Sequence, residues 1–307
     1  MLILQQRYHD QCEWYQYKTL KEHFFYTTKQ DSALFWKREK PSNIEFVYEN
    51  EIPWDKIDVA IAVTPSWFNT VKSHGIPVIM HIDQVPQGPE MIKKWQDAVQ
   101  KNVTLYWSEE ERDLWQVGTP ILRPHPIDTN VFKGYDGRLP RAITIATRPV
   151  KEWGPEMKGH TVLHKAYPQM DIQVVAGRDT EFPNSKEIMT ETEMVFHLAH
   201  LRLYFNCAFK LDRTPLEAMG CGMPVLAIRH KNNAYKDYFR HGENIIYAGT
   251  PEEMITKAKE LLQPDKQEYL KDIGARARET IKRYWNPAIS ASQWNKAFNL
   301  AIKNHEY

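Results

Sequence analysis

Cysteine is scarce. Cys12, Cys207 and Cys221 are the three in 307 residues, too few and too scattered for a disulfide framework or a zinc site. No stretch approaches the roughly 20 consecutive apolar residues that cross a bilayer. The N-terminus lacks the basic segment, apolar run and small-residue cleavage site of a secretory signal. These absences point to a reduced, cytoplasmic protein without a membrane span. Internal repeats, low-complexity tracts and Asp-x-Asp pairs are also missing. Charge is nearly balanced, with 40 Lys and Arg against 39 Asp and Glu, which argues against duplex binding through overall basicity.

A chain of 307 residues suits two domains of roughly 100 to 170 residues, each able to build its own core. Apolar runs at 58–64, 76–82, 104–108, 143–147, 172–176 and 225–228 alternate with helical patterns, which predicts parallel sheets flanked by helices. The polar, glycine-containing segment Lys133–Arg141 reads as the hinge. The domains are accordingly expected at 1–136 and 137–285. The stretch 286–307, with Ile289, Trp294, Phe298 and Ala301 at helical spacing, reads as a C-terminal helix. Seven tryptophans, Trp14, Trp36, Trp54, Trp67, Trp95, Trp107 and Trp115, fall in the first half. Most are expected to pack in cores or against helices, with Trp36 and Trp67 as candidates for stacking on a ligand.

The most informative stretch runs from Leu211 to Ile228. Thr214 is a candidate helix cap and Pro215 suits a first turn, while Gly220, Gly222 and Pro224 stop the helix before an apolar strand at Val225–Ile228. Backbone N–H groups at such a helix start, with Arg213 beside them, favour a phosphate or pyrophosphate. Glu217, one turn in, is placed to accept hydrogen bonds from sugar hydroxyls. The same residues also fit a plain capping box, Thr214 to Glu217. Thr250-Pro-Glu-Glu253 repeats the pattern ahead of an ordinary amphipathic helix, so these four residues alone do not decide between the two.

Context does. Glu217-Ala-Met-Gly-Cys-Gly-Met-Pro-Val225 resembles the second half of the nucleotide-binding motif of retaining glycosyltransferases of family 4. Ile143-Thr-Ile-Ala-Thr-Arg148 and Lys158-Gly159, followed by a helix, resemble the element that holds the donor diphosphate in that family, with Lys151 as a rival to Lys158. Asp171 to Gly177 resembles the next strand and its glycine turn, and Tyr238 to Gly249 the closing segment. Ile76-Pro-Val-Ile-Met-His81-Ile-Asp83 is similar to the strand whose terminal His lies at the mouth of the cleft. Two departures stand out: Phe209 occupies the place of the motif's first acidic residue, and Met1–Asp10 supplies a strand without a glycine-rich loop.

The resemblance implies an α/β fold of two facing Rossmann-like domains (the GT-B type), with the C-terminal helix crossing back to the first. It implies an enzyme, a hexosyltransferase that moves a sugar from a UDP- or GDP-linked donor to an acceptor hydroxyl with retention, with no metal and no cofactor. His81, Asp83, Arg148 and Lys158 are the implied catalytic residues. Gly177, Arg178, Asp212, Arg213, Thr214 and Glu217 are the implied donor contacts. The C-terminal half is the basic one, with 26 basic and 21 acidic residues after position 130 against 14 and 18 before it, which suits a diphosphate. The acceptor is expected to be a saccharide or small glycoside. Alternatives are a viral-type DNA glycosyltransferase acting on a hydroxymethylated base, a sugar-nucleotide epimerase, a degenerate nucleotide-sugar-binding module, and an α/β protein without sugar chemistry.

Overall fold

Among the described residues every strand pair runs parallel, and the apolar runs explain why. The runs at 58–64, 76–82, 172–176 and 225–228 each contain a strand, and those at 104–108 and 143–147 overlap one. Central strands such as Val59–Ala62, Val103–Tyr106 and Val225–Ile228 are buried at every position, as expected for strands covered on both faces. The computed structural model describes residues 1–6, 16–28, 40–82, 86, 88–146, 159–176, 182, 185–186, 189–208, 211–229 and 235–305. By contacts the chain divides into two compact units, Met1–Pro126 with Pro287–Tyr307, and Ile127–Asn286.

The first unit carries strands β1 (Leu2–Gln5), β2 (Phe24–Thr28), β3 (Ile44–Val47), β4 (Val59–Ala62), β5 (Val78–His81), β6 (Val103–Tyr106) and β7 (Thr119–Leu122). Their order in the sheet is β3-β2-β1-β4-β5-β6-β7. Helices α1 (Pro65–Ser73), α2 (Pro89–Val99) and α3 (Glu109–Trp115) connect the later strands. Capping sets two of their starts: Thr64 Oγ1 accepts from the Trp67 amide at 3.3 Å and Ser108 Oγ from the Glu111 amide at 3.2 Å.

One face of this sheet, formed by Ile3, Phe25, Ile61, Ile79, Leu105 and Ile121, is apolar and packs with Trp294, Ala297, Phe298 and Ala301. The C-terminal helix Pro287–His305 therefore belongs to the first unit. Trp294 and Phe298 face the core as expected, whereas Ile289 is 37% exposed, about 100° round the helix from the buried stripe that begins at Ser290. Side chains two residues apart share a face of a strand, so the same face turns polar toward the carboxyl ends. Gln5 follows Ile3, Thr27 follows Phe25, His81 follows Ile79, and Arg123 follows Ile121. All four polar residues are buried.

The second unit carries β8 (Leu139–Ala146), α4 (His160–Ala166), β9 (Ile172–Ala176), α5 (Glu191–His200), β10 (Leu201–Asn206), α6 (Arg213–Cys221), β11 (Val225–Ile228), β12 (Ile246–Ala248), α7 (Pro251–Leu261) and α8 (Gln267–Tyr284). Continuing the numbering, the C-terminal helix is α9. The sheet order is β12-β11-β10-β8-β9. The chain steps outward from β8 to β9, then returns past β8 to β10, so the order reverses between β8 and β10. Open parallel sheets bind ligands at the carboxyl ends of the strands flanking such a switch.

Candidate functional site

The switch point of the second unit is closed around a glycine. Gly159, at the start of α4, has φ +69°, and a Cβ there would overlap the carbonyl of Cys207, the residue after β10. Only glycine fits so near a backbone in that left-handed conformation. Thr144 Oγ1 of β8 lies 3.4 Å from Cys207 Sγ, a second tie between the two strands. The connection that ends at Gly159 and the one that leaves β10 therefore meet at the switch.

The next helix after β10 is α6. Its cap is Asp212, whose Oδ1 accepts from the Arg213 amide at 2.9 Å; Thr214 is the second helical residue and half-buried. The Thr214 cap expected from sequence is thus displaced by two residues, because aspartate caps at least as well as threonine and comes first. Arg213 Nε donates to Glu217 Oε1 at 2.8 Å, one helical turn away, and the two side chains are 6% and 2% exposed. A Thr214–Glu217 capping box does not describe this arrangement. The control behaves as a cap should: Thr250 Oγ1 accepts from the Glu253 amide at 3.1 Å, and Glu253 Oε2 accepts from the Gly249 amide at 2.6 Å.

An ion pair held this deep needs good geometry, since desolvating two charges costs several kcal/mol each. The helix around it is packed to suit. Every residue of α6 except Thr214 is buried. Gly222 ends the helix in the left-handed conformation with φ +92°. A Cβ on Gly220 would come within 2.8 Å of Ile127 Cγ2, so α6 sits close on the Ile127–Phe132 segment. Arg278 of α8 donates to the carbonyls of Gly220 and Phe132, and to that of Thr129 at 2.7 Å. Arg278 was not expected from the sequence; its signal was a lone arginine on the stripe of α8 that carries the buried Gly274, Ala277 and Ile281.

In the first unit, His81 ends β5 and is fully buried. Arg123, directly after β7, reaches it, with Nη2 2.9 Å from His81 Nε2. The guanidinium lies 3.6 Å from the Trp107 ring and 4.7 Å from the Trp294 ring, and His125 stacks on Trp107 at 3.5 Å. Burial first, then the Arg123 charge and His125, hold the imidazole well below its ordinary pKa of 6.5. Sequence reasoning singled out His81 and missed Arg123, Trp107 and Trp294 as its neighbours. Trp67, a candidate for stacking on a ligand, is 7% exposed and packs in the core with Trp115.

The structure thus brings Asp212, Arg213, Thr214 and Glu217 together on one helix start. His81 stands at a strand end of the other unit. Asp83, Arg148, Lys151, Lys158, Gly177, Arg178, Phe209 and Trp36 lie outside the described residues. Among the described residues no group of His, Cys, Asp and Glu is placed to hold a metal, and no helix is long and apolar enough to cross a membrane.

Two parallel, doubly wound sheets with a final helix on the first are the architecture of GT-B glycosyltransferases. Sucrose-phosphate synthase from Thermosynechococcus elongatus is similar with a TM-score of 0.75 at 11% identity, over 99% of this chain and 100% of that one. HepE from Anabaena, in complex with UDP and glucose, is similar with a TM-score of 0.70 at 14% identity, over 97% and 99%. An alpha-glucosyltransferase in complex with UDP and a mismatch-containing 13-mer DNA gives 0.66 at 12% identity, over 97% and 98%. At such identities the likeness is one of fold. No curated protein sequence matches the chain. Residues 141–296, just over half of it, match the family described as Glycosyl transferase-like, and the chain belongs to that family.

Proposed function

We propose that this protein transfers a sugar from a UDP-linked donor to a hydroxyl of a saccharide or small glycoside, with retention of configuration and without a metal or other cofactor. The observation that carries the reading is the buried Arg213–Glu217 pair on α6, beside the switch point of the second sheet. A carboxylate fixed there suits the vicinal hydroxyls of a nucleotide ribose, and the helix start suits its diphosphate. The UDP held by HepE and by the alpha-glucosyltransferase supports uridine over guanosine. The Glu217–Val225 motif supports assignment to family 4.

Roles follow from the chemistry. The bond between the anomeric carbon and the terminal diphosphate oxygen breaks, and the electron pair leaves on that oxygen. Arg148 and Lys158 are assigned to the growing negative charge, together with the amides around Arg213 and Thr214. Preorganised partners of this kind contribute roughly 2.7–4 kcal/mol each to the barrier. Gly177 and Arg178 are assigned to the donor, and Asp212 to holding the helix start. The acceptor oxygen bonds to the anomeric carbon from the face the phosphate leaves, so the departing oxygen stands next to the acceptor proton and takes it. His81 and Asp83 are assigned to orienting the donor sugar and acceptor.

The test is turnover of UDP-glucose and other UDP-sugars with a panel of glycosides, with and without EDTA, and with the product's anomeric configuration read by NMR. An axial-to-axial product, made equally well in EDTA, is expected. Inverted product, or activity abolished by EDTA and restored by a divalent ion, overturns those two parts of the reading. Hydroxymethylated DNA belongs in the acceptor panel, since one similar structure holds DNA. Transfer to DNA alone would replace the saccharide reading.

A further inference from the structure

One contact at His81 has its donor fixed by chemistry alone. A guanidinium has five N–H donors and no acceptor. In the 2.9 Å contact between Arg123 Nη2 and His81 Nε2, the arginine therefore donates and Nε2 accepts through its lone pair. A neutral imidazole that accepts at Nε2 carries its hydrogen on Nδ1.

Arg123 is held where it is. It is fully buried, its guanidinium lies against the Trp107 and Trp294 rings, and its amide donates to the Tyr106 carbonyl at 2.8 Å. His81 is equally confined, with Trp107 edge-on at 5.1 Å and Trp294 at 6.3 Å. Adding a proton at Nε2 would destroy the acceptor that Arg123 uses and would set two cations side by side. The described charged and titratable groups acting on the ring are Arg123 and His125, and both oppose that proton.

We infer that Arg123 is a positioning residue that keeps His81 neutral with its hydrogen on Nδ1, so that His81 takes no proton during transfer. That His81 takes part in transfer rests on the reading proposed above; the tautomer is a property of the free protein. A histidine that takes no proton leaves removal of the acceptor proton to the departing phosphate.

Histidine-selective 15N labelling of the full chain tests this directly, with the His81 signals assigned by their loss in His81→Asn. The Nδ1–H form is expected to persist from about pH 8 down to about pH 5.5, where a free histidine is mostly protonated. In Arg123→Met the ring is expected to titrate or exchange between tautomers. Kinetics supply the second arm: with His81 neutral throughout, the kcat–pH profiles of the wild type and of His81→Asn are expected to share one shape between about pH 8 and about pH 5.5, whereas a general base at His81 would give the wild type an acidic limb that His81→Asn lacks. An imidazolium or Nε2–H signal at neutral pH overturns the inference, as does such a limb. A wild-type chain that binds no UDP overturns the donor reading instead, and the spectrum still decides the tautomer.

Discussion

A buried charge without its partner is costly, and two residues here put that rule to measurable use. Arg213→Met leaves the Glu217 carboxylate in a site 2% exposed without the cation that now faces it. Breaking such a pair costs about 3–5 kcal/mol, so the urea midpoint should fall sharply. Arg213→Met with Glu217→Gln should recover much of the loss, and additive losses would show that the two side chains act apart. His81 supplies a pH prediction. Its native pKa lies well below 6.5, so the unfolded chain takes up a proton that the native chain refuses. Stability from this group is therefore full above about pH 6.5 and declines as the pH falls toward the native pKa. Half-buried His197, held low by burial and Lys186, adds a slope of the same sign. Denaturation midpoints measured between pH 7.5 and 5.5 should fall with pH, and less steeply in His81→Asn.

Residue-scale features differed in how plainly the sequence announced them. The helix that carries Glu217 was legible because its motif is contiguous and local. The pairing of Glu217 with Arg213 was hidden by a nearer explanation, the capping box, which the sequence pattern fits equally well. The His81–Arg123 contact was not legible at all: the residues are 42 apart, and only the order of β5, β6 and β7 brings their strand ends together.

At the level of elements, close backbone approach is the sensitive feature. Gly274 of α8 faces the carbonyl of Gly222 at the end of α6, and a Cβ there would overlap it. Gly274→Ala should push the two helices apart at a cost of about 1–3 kcal/mol, seen as a lower melting temperature. Gly159→Ala meets both a positive φ and the Cys207 carbonyl. It should weaken UDP binding more than Gly274→Ala does, because Gly159 lies at the switch point itself. Equal binding in the two variants would separate that glycine from the site. Elements were readable where one signal dominated, as in the all-apolar β4 and β11. Strands β2 and β12 were harder. The first, Phe-Phe-Tyr-Thr-Thr, mixes exposed and buried aromatics, and the second is three residues long.

On the scale of the whole molecule, the first unit is built from both ends of the chain. Trp294, Phe298, Ala297 and Ala301 cover the isoleucine face of its sheet, and fully burying a large apolar side chain is worth about 1.5–3 kcal/mol. Ending the chain after Asn286 should therefore expose that face, giving a lower melting temperature and binding of an apolar dye. An unchanged melting temperature would contradict the role given to α9. The architecture itself survives at 11% to 14% identity to its structural neighbours. What persists is the order of strands and helices, and the donor site is proposed at a strand end and helix start of the second unit.

Titration calorimetry of UDP against the wild type and Glu217→Ala decides that proposal. A single UDP site is expected, with an affinity that falls by about tenfold or more in the variant, equivalent to at least about 1.4 kcal/mol, and with the variant still folded. UDP bound equally by both proteins, or by neither, would contradict it.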